Sequence, residues 1–183
     1  MGITDKVDIL RGMLPNLTDI DIERLTEGGY FTAPASTKYH GSREGGLFAH
    51  SLVVAKTLMQ LTIDNELQWQ NPRSPWVVGM FHDLCKMDCY KREIIGWAND
   101  TPIYGEEYEY TEDTLYKGHG NKSVILLSTF LTLTPEEAAC IRYHMGAFTD
   151  KEKWGDYTRA IEAYPNVLWT HHADMIASHI EGV

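Results

Sequence analysis

The segment Ser74-Pro75-Trp76-Val77-Val78-Gly79-Met80-Phe81-His82-Asp83-Leu84-Cys85-Lys86 opens with a serine N-cap and a proline at the first helical position, which starts an α-helix. Trp76, Val77, Val78, Met80, Phe81 and Leu84 make that helix apolar on nearly all sides. The pattern predicts a central, buried helix running through Cys85 or Lys86. The segments on either side read as further helices. Thr18 with Asp21, stopped by Gly28-Gly29, brackets a short helix over residues 19–27, and another covers much of 4–13. Gly45-Gly46 opens a long helix to Leu61, in which Phe48, Leu52, Ala55 and Met59 recur at steps of four and three. Helices resume over 120–131. Thr134-Pro135-Glu136-Glu137 is a capping box with proline in the first turn, starting a helix that ends at Gly146. After a polar loop, Pro165 starts the last helix, to Ile180.

Residues 87–117 break this rhythm. Tyr104, Tyr108 and Tyr110 are evenly spaced, Glu107 and Glu109 take the opposite phase, and Asn99-Asp100-Thr101-Pro102 is a turn signal after Ile94-Ile95. The fold expected is therefore an all-α bundle with a small β-hairpin insertion within 87–117.

A chain of 183 residues with 43% hydrophobic and 23% charged residues is expected to form one ordinary globular domain. Its net charge of −10 opposes a phosphate backbone, so a duplex-binding protein is not expected, although a small nucleotide held through a metal ion is compatible. Cys85, Cys89 and Cys140 are odd in number and form no Cys-x-x-Cys pair, which suits free thiols in a reducing cytoplasm. Met1 to Lys6 has no signal-peptide pattern, and no uninterrupted apolar run reaches membrane-spanning length, so neither export nor a membrane partner is expected.

The eight histidines are informative through their placement. His50 lies in the long apolar helix, His82-Asp83 near the end of the most apolar one, His144 after the capping box, and Asp174 inside the last helix among Ala173, Met175, Ile176 and Ala177. His119 sits at a helix start in Gly118-His119-Gly120. A lone helical histidine is ordinarily a hydrogen-bonded core or surface residue. A buried aspartate, by contrast, is costly unless paired or bound to a metal. Two such aspartates, each near histidine, suggest a shared cation: Mn, Fe, Co, Ni or Zn, with Mg also admitted by carboxylate.

The order His…His-Asp…Asp resembles the HD-domain superfamily of metal-dependent phosphohydrolases. The matching residues are His50 in Glu44-Gly45-Gly46-Leu47-Phe48-Ala49-His50-Ser51, the doublet in Phe81-His82-Asp83-Leu84-Cys85-Lys86, and Asp174 in His171-His172-Ala173-Asp174. With Gly118-His119, these segments look most like the HD domain of YhaM-type exoribonucleases. The resemblance implies an HD core over 39–180 preceded by a helical extension over 1–38. The sequence departs from the family at Cys85, where glycine is usual. No nucleic-acid-binding OB domain accompanies it, so an RNA substrate is not expected.

The resemblance further implies that Asp83 bridges two metals, with His50, His82 and Asp174 completing one site and His119 and His144 the other. In a one-metal reading, His119 caps a helix and His144 contacts substrate. Lys86 resembles the family lysine that steadies phosphate, and it equally suits the C-terminal end of a helix dipole. His40 and Arg43 are candidate substrate contacts, though a loop arginine is ordinarily just exposed. His171, three residues before Asp174, is expected to orient that carboxylate. His172 and His179 are expected to point elsewhere, and Cys85 to lack a base partner. The hairpin tyrosines suit either packing or a lid.

Three functions fit this reading. The leading one is a phosphohydrolase acting on a nucleotide or other small phosphate ester, in which a metal-activated water attacks phosphorus and Asp83 and Lys86 serve catalysis. A mixed-valent di-iron oxygenase of the HD fold uses a similar ligand set. A metal-stabilised regulatory module is the non-catalytic alternative.

Overall fold

The central apolar segment forms a helix, but a shorter one than its pattern predicts. A computed structural model describes residues 1–38, 41–111 and 114–183, apart from the side chain of Glu106. In it α1 covers Ile3–Met13, α2 Asp19–Glu27, α3 Gly46–Asp64 and α4 Ser74–Phe81. The hairpin strands β1 Tyr90–Ala98 and β2 Thr101–Tyr110 follow, then α5 His119–Leu127, α6 Pro135–Tyr143, α7 Trp154–Ala163 and α8 Asn166–His179. The protein is mostly helical with one small antiparallel sheet, as the sequence predicts.

α4 stops at Phe81 because its own side chains compete for its carbonyls. His82 Nδ1 donates to the carbonyl of Gly79 at 2.9 Å, the acceptor that the N–H of Asp83 would use in a continuing helix. Asp83 leaves helical geometry at φ −101° and ψ 19°, and Leu84–Asp88 tightens into a 3₁₀ turn. The predicted helix to Cys85 or Lys86 is thus broken at the doublet.

α3 lies against both α4 and α8, and α6 packs on α4, α5 and α8. α3 is long and apolar enough, by length and composition, to cross a membrane, although His50, Ser51, Lys56, Thr57 and Gln60 interrupt its apolar run. Its apolar face is used inside the bundle, where Leu47, Phe48, Val54, Ala55 and Leu58 are completely buried. One hydrophobic cluster runs from Leu10, Leu25 and Phe31 of the N-terminal segment through α3 and α4 to Ala173 and Ala177 of α8. The predicted capping boxes form at Thr18 with Asp21 and at Thr134 with Glu137.

α7 occupies what reads in the sequence as polar loop. Tyr157, Ala160, Ile161 and Tyr164 are partly buried against the core at i, i+3, i+4 and i+7, a helical stripe masked by the charges around it. The hairpin turns at Asn99-Asp100, both with positive φ (48° and 62°), as a tight two-residue reversal requires. Its tyrosines do not enter the core: Tyr104 and Tyr108 flank the guanidinium of Arg92, with centroid distances of 5.4 and 5.5 Å.

The α3–α4 crossing brings His50 to His82, and it depends on Gly79. A Cβ there would lie 2.3 Å from Ala55 Cα and 2.7 Å from Ala55 Cβ. Gly79→Ala is therefore expected to lower stability by about 1–3 kcal/mol, the usual cost of overpacking a dense core. Urea denaturation measures this. An unchanged midpoint would mean that the two helices do not approach so closely.

Candidate metal centre

The ends of two helices place two of the imidazoles. The last carbonyls of a helix lack intrahelical partners. His82, just past α4, donates Nδ1–H to Gly79, and His144, just past α6, donates Nδ1–H to the carbonyl of Ile141 at 2.7 Å. Both rings thus satisfy an orphan carbonyl three residues back, and both turn Nε2 inward. His50, in the second turn of α3, donates Nδ1–H to the backbone oxygen of Val183 at 2.9 Å, so its Nε2 also faces inward. Backbone bonding of one ring nitrogen to fix the other as a lone pair is the arrangement of metal-binding histidines.

These nitrogens converge on two carboxylates. His50 Nε2 and His82 Nε2 are 3.3 Å apart, with Asp174 Oδ1 at 3.1 Å from the first and 3.9 Å from the second. Two bare imidazole nitrogens at that distance repel each other unless a proton or cation lies between them. Asp83 completes the arrangement from the centre. Its Oδ2 lies 3.5 Å from His82 Nε2 and 3.8 Å from His50 Nε2, while its Oδ1 lies 2.6 Å from His119 Nε2 and 3.3 Å from His144 Nε2. The buried Nε2 of His144 makes no hydrogen bond, because its alignment with Asp83 is poor. An orphaned nitrogen facing a carboxylate is what a cation would satisfy.

Among the described residues, three sets of donors each lie close enough together to hold an ion: His50, His82 and Asp174; His82, Asp83 and His144; and Asp83, Cys85 and His119. The protein therefore has buried His/Asp/Cys clusters able to bind a metal ion. Their protonation suits that role. Burial opposes the charge of Asp83, but Lys86, His82 and His119 outweigh it and hold its carboxyl well below the usual range. Burial likewise opposes the charge of Asp174, and the bond from His50 and the nearness of His82 outweigh it, leaving its carboxyl low as well. Burial pushes His82 down, towards the neutral form a ligand needs. For His144 burial is overcome by Asp83, and the ring is pushed up instead.

The six residues His50, His82, Asp83, His119, His144 and Asp174 are brought together from α3, α4, α5, α6 and α8. Lys86 joins them, its Nζ 2.6 Å from Asp83 Oδ2. Arg43 is exposed on the loop before α3 and is not part of the cluster. His40 lies outside the described residues. His171 does not serve Asp174 as expected. Its Nδ1 donates to the carbonyl of His144 at 2.8 Å, another orphan at the end of α6, so it props a different ligand. Ser178, one turn beyond Asp174 on α8, takes the expected role by donating its hydroxyl to Asp174 Oδ1 at 3.3 Å. That i, i+4 spacing was legible in the sequence. His179, expected to point away, lines the cleft beside Asp83 and Lys86. The thiol of Cys85 has a base beside it after all: its Sγ is 3.4 Å from His119 Nδ1.

Comparison of the chain with models of protein families, with curated proteins and with solved structures finds no match in any of the three.

A divalent transition metal is expected to raise the melting temperature of the wild type, since a ligand at 100 times its Kd adds about 2.7 kcal/mol. His82 belongs to two of the three donor sets. His82→Ala is expected to lose most of that increase, as read by calorimetry with and without Mn(II). Equal increases in the two proteins would place the ion elsewhere.

Proposed function

We propose that the chain is a metal-dependent phosphohydrolase of the HD-domain type, which cleaves a small phosphate ester with two cations held on either side of Asp83. The observation that carries this reading is the division of one carboxylate. Asp83 Oδ2 faces His50 and His82, and Asp83 Oδ1 faces His119 and His144. His50, His82, Asp174 and Oδ2 would hold one ion, and His119, His144 and Oδ1 the other. When bound, such a pair supplies an acidified water and charge neutralisation for an in-line displacement at phosphorus.

The remaining groups suit a phosphate ester. Lys86 reaches the same carboxylate oxygen that faces His50 and His82, so it balances the charge of Asp83 from the cleft side. Burial works against its ammonium, but Asp83 and Tyr90 outweigh burial and hold its pKa above the usual lysine range. Once cations neutralise Asp83, that ammonium is available to a phosphate oxygen. The cleft is about 410 Å³, and Met145, Phe148 and Met175 give it apolar walls that exclude water and accept the organic part of an ester. A second cleft of about 290 Å³ opens at His119, bordered by Asn121, Arg142 and Lys153. Met145 and Phe148 border both clefts. Volumes of this size and a net charge of −10 favour a small ester over a polymer.

The test is phosphate release from a panel of phosphate esters with excess Mn(II), together with elemental analysis. Wild type is expected to hold two ions per chain. Asp83→Ala should remain helical by circular dichroism and lose all turnover. His50→Ala should strip the first ion, while His119→Ala and His144→Ala should each retain about one and lose about 10²–10³ in turnover, the usual effect of removing one electrostatic stabiliser. Wild-type-like turnover by Asp83→Ala would end the mechanism. Oxygen uptake without phosphate release would favour the di-iron oxygenase, and full loading without turnover a binding module.

A further inference from the structure

His50, His82 and His144 each give Nδ1–H to a backbone oxygen, which only accepts, so Nδ1 stays protonated whatever Nε2 does. His119 is built differently. It is the first residue of α5, and its side chain is 35% exposed, against 1% or less for the other three. Its Nε2 is bonded to Asp83 Oδ1 at 2.6 Å, and its Nδ1 faces the sulfur of Cys85 at 3.4 Å. That sulfur is held in place by the turn around it. The backbone N–H of Cys85 donates to Ser123 Oγ at 3.0 Å, its carbonyl accepts the thiol of Cys89 at 2.9 Å, and the hydroxyl of Ser123 donates to the carbonyl of His119 at 3.4 Å. Cys85 and His119 are thus tied to each other through Ser123 as well as directly.

We propose that Cys85 is the positioning residue for His119, holding its ring in place both before and after a cation enters beside Asp83. This rests on His119 being a metal ligand. A thiol both donates and accepts, which a carbonyl does not. While His119 donates Nε2–H to Asp83, Nδ1 is bare and accepts the S–H of Cys85. To face a cation, Nε2 must be bare; the proton then sits on Nδ1 and is donated to the sulfur. One contact serves both states, so the ring exchanges its carboxylate bond for a cation without losing its other partner. Cys85 is not itself a ligand to the ion that His119 Nε2 would bind, because its sulfur lies at the opposite ring nitrogen. The ion on the His119 side is accordingly the adjustable one, and the ion on the His50 side is held by donors already fixed.

The experiment is calorimetric titration of Mn(II) into the metal-free full chain, as wild type, Cys85→Ala, Cys85→Ser and His119→Ala. Wild type should show two binding events, and His119→Ala should lose the weaker one. Cys85→Ala should keep both, with the weaker event reduced about 10–100-fold, the range seen when an outer partner of a metal ligand is removed. Cys85→Ser retains a donor and acceptor and should restore most of that affinity. The stronger event, unchanged in all four proteins, reports intact folding. If Cys85→Ala binds both ions like wild type while His119→Ala loses one, the positioning role is wrong and the ligand reading survives. If His119→Ala also binds like wild type, both fall. Intense thiolate-to-metal absorption from wild type loaded with Co(II), absent in Cys85→Ser, would make the sulfur a direct ligand and overturn the proposal.

Discussion

Asp83 carries a negative charge where water scarcely reaches it, surrounded by four imidazoles and one ammonium. An isolated carboxylate in such a place costs several kcal/mol, and a single partner rarely offsets that in full. Lys86 offsets part of the cost, and His119 offsets more by donating Nε2–H to Asp83 Oδ1. Much of the surrounding architecture serves this one group. α4 ends where it does so that Asp83 can leave helical geometry, α3 crosses α4 at Gly79 so that His50 can reach the doublet, and α5, α6 and α8 each bring a helix end or an inward face to the same point.

The histidines show how ordinary helix physics becomes a binding centre. A helix end leaves carbonyls unpaired, and an imidazole just beyond the end can pair one of them. Doing so engages Nδ1–H and turns Nε2 inward. His82 and His144 repeat this device on α4 and α6, and His171 adds a further bond to the same helix end as His144. The inward aim of these nitrogens is in this sense a by-product of capping.

Much of this was legible in the sequence, because the strongest signals are local. Ser74-Pro75, Thr134-Pro135 and the glycine pairs mark helix ends, and the apolar periodicities mark which faces are buried. The placement of His50, His82-Asp83 and Asp174 among apolar neighbours pointed to a shared cation, while His119 and His144 entered through the resemblance to HD domains. What was not legible depends on competition between side chain and backbone or on contacts across the bundle. The end of α4 at Phe81 follows from His82 taking the Gly79 carbonyl. α7 was hidden because its stripe of Tyr157, Ala160, Ile161 and Tyr164 is set among charges. His171 lies on the correct helix for Asp174, but its Nδ1 bonds the carbonyl of His144 instead, and Cys85 meets His119 across two turns joined by the bond from the Cys85 N–H to Ser123 Oγ.

The central claim is that the two oxygens of Asp83 serve two separate cations. The most direct measurement is anomalous scattering from crystals of the protein grown with Mn(II), recorded at an energy where manganese dominates the signal. The account predicts two peaks about 3.5–4 Å apart, one beside His50, His82 and Asp174 and one beside His119 and His144, with Asp83 between them. A single peak, or a peak that Asp83 does not touch, would contradict it.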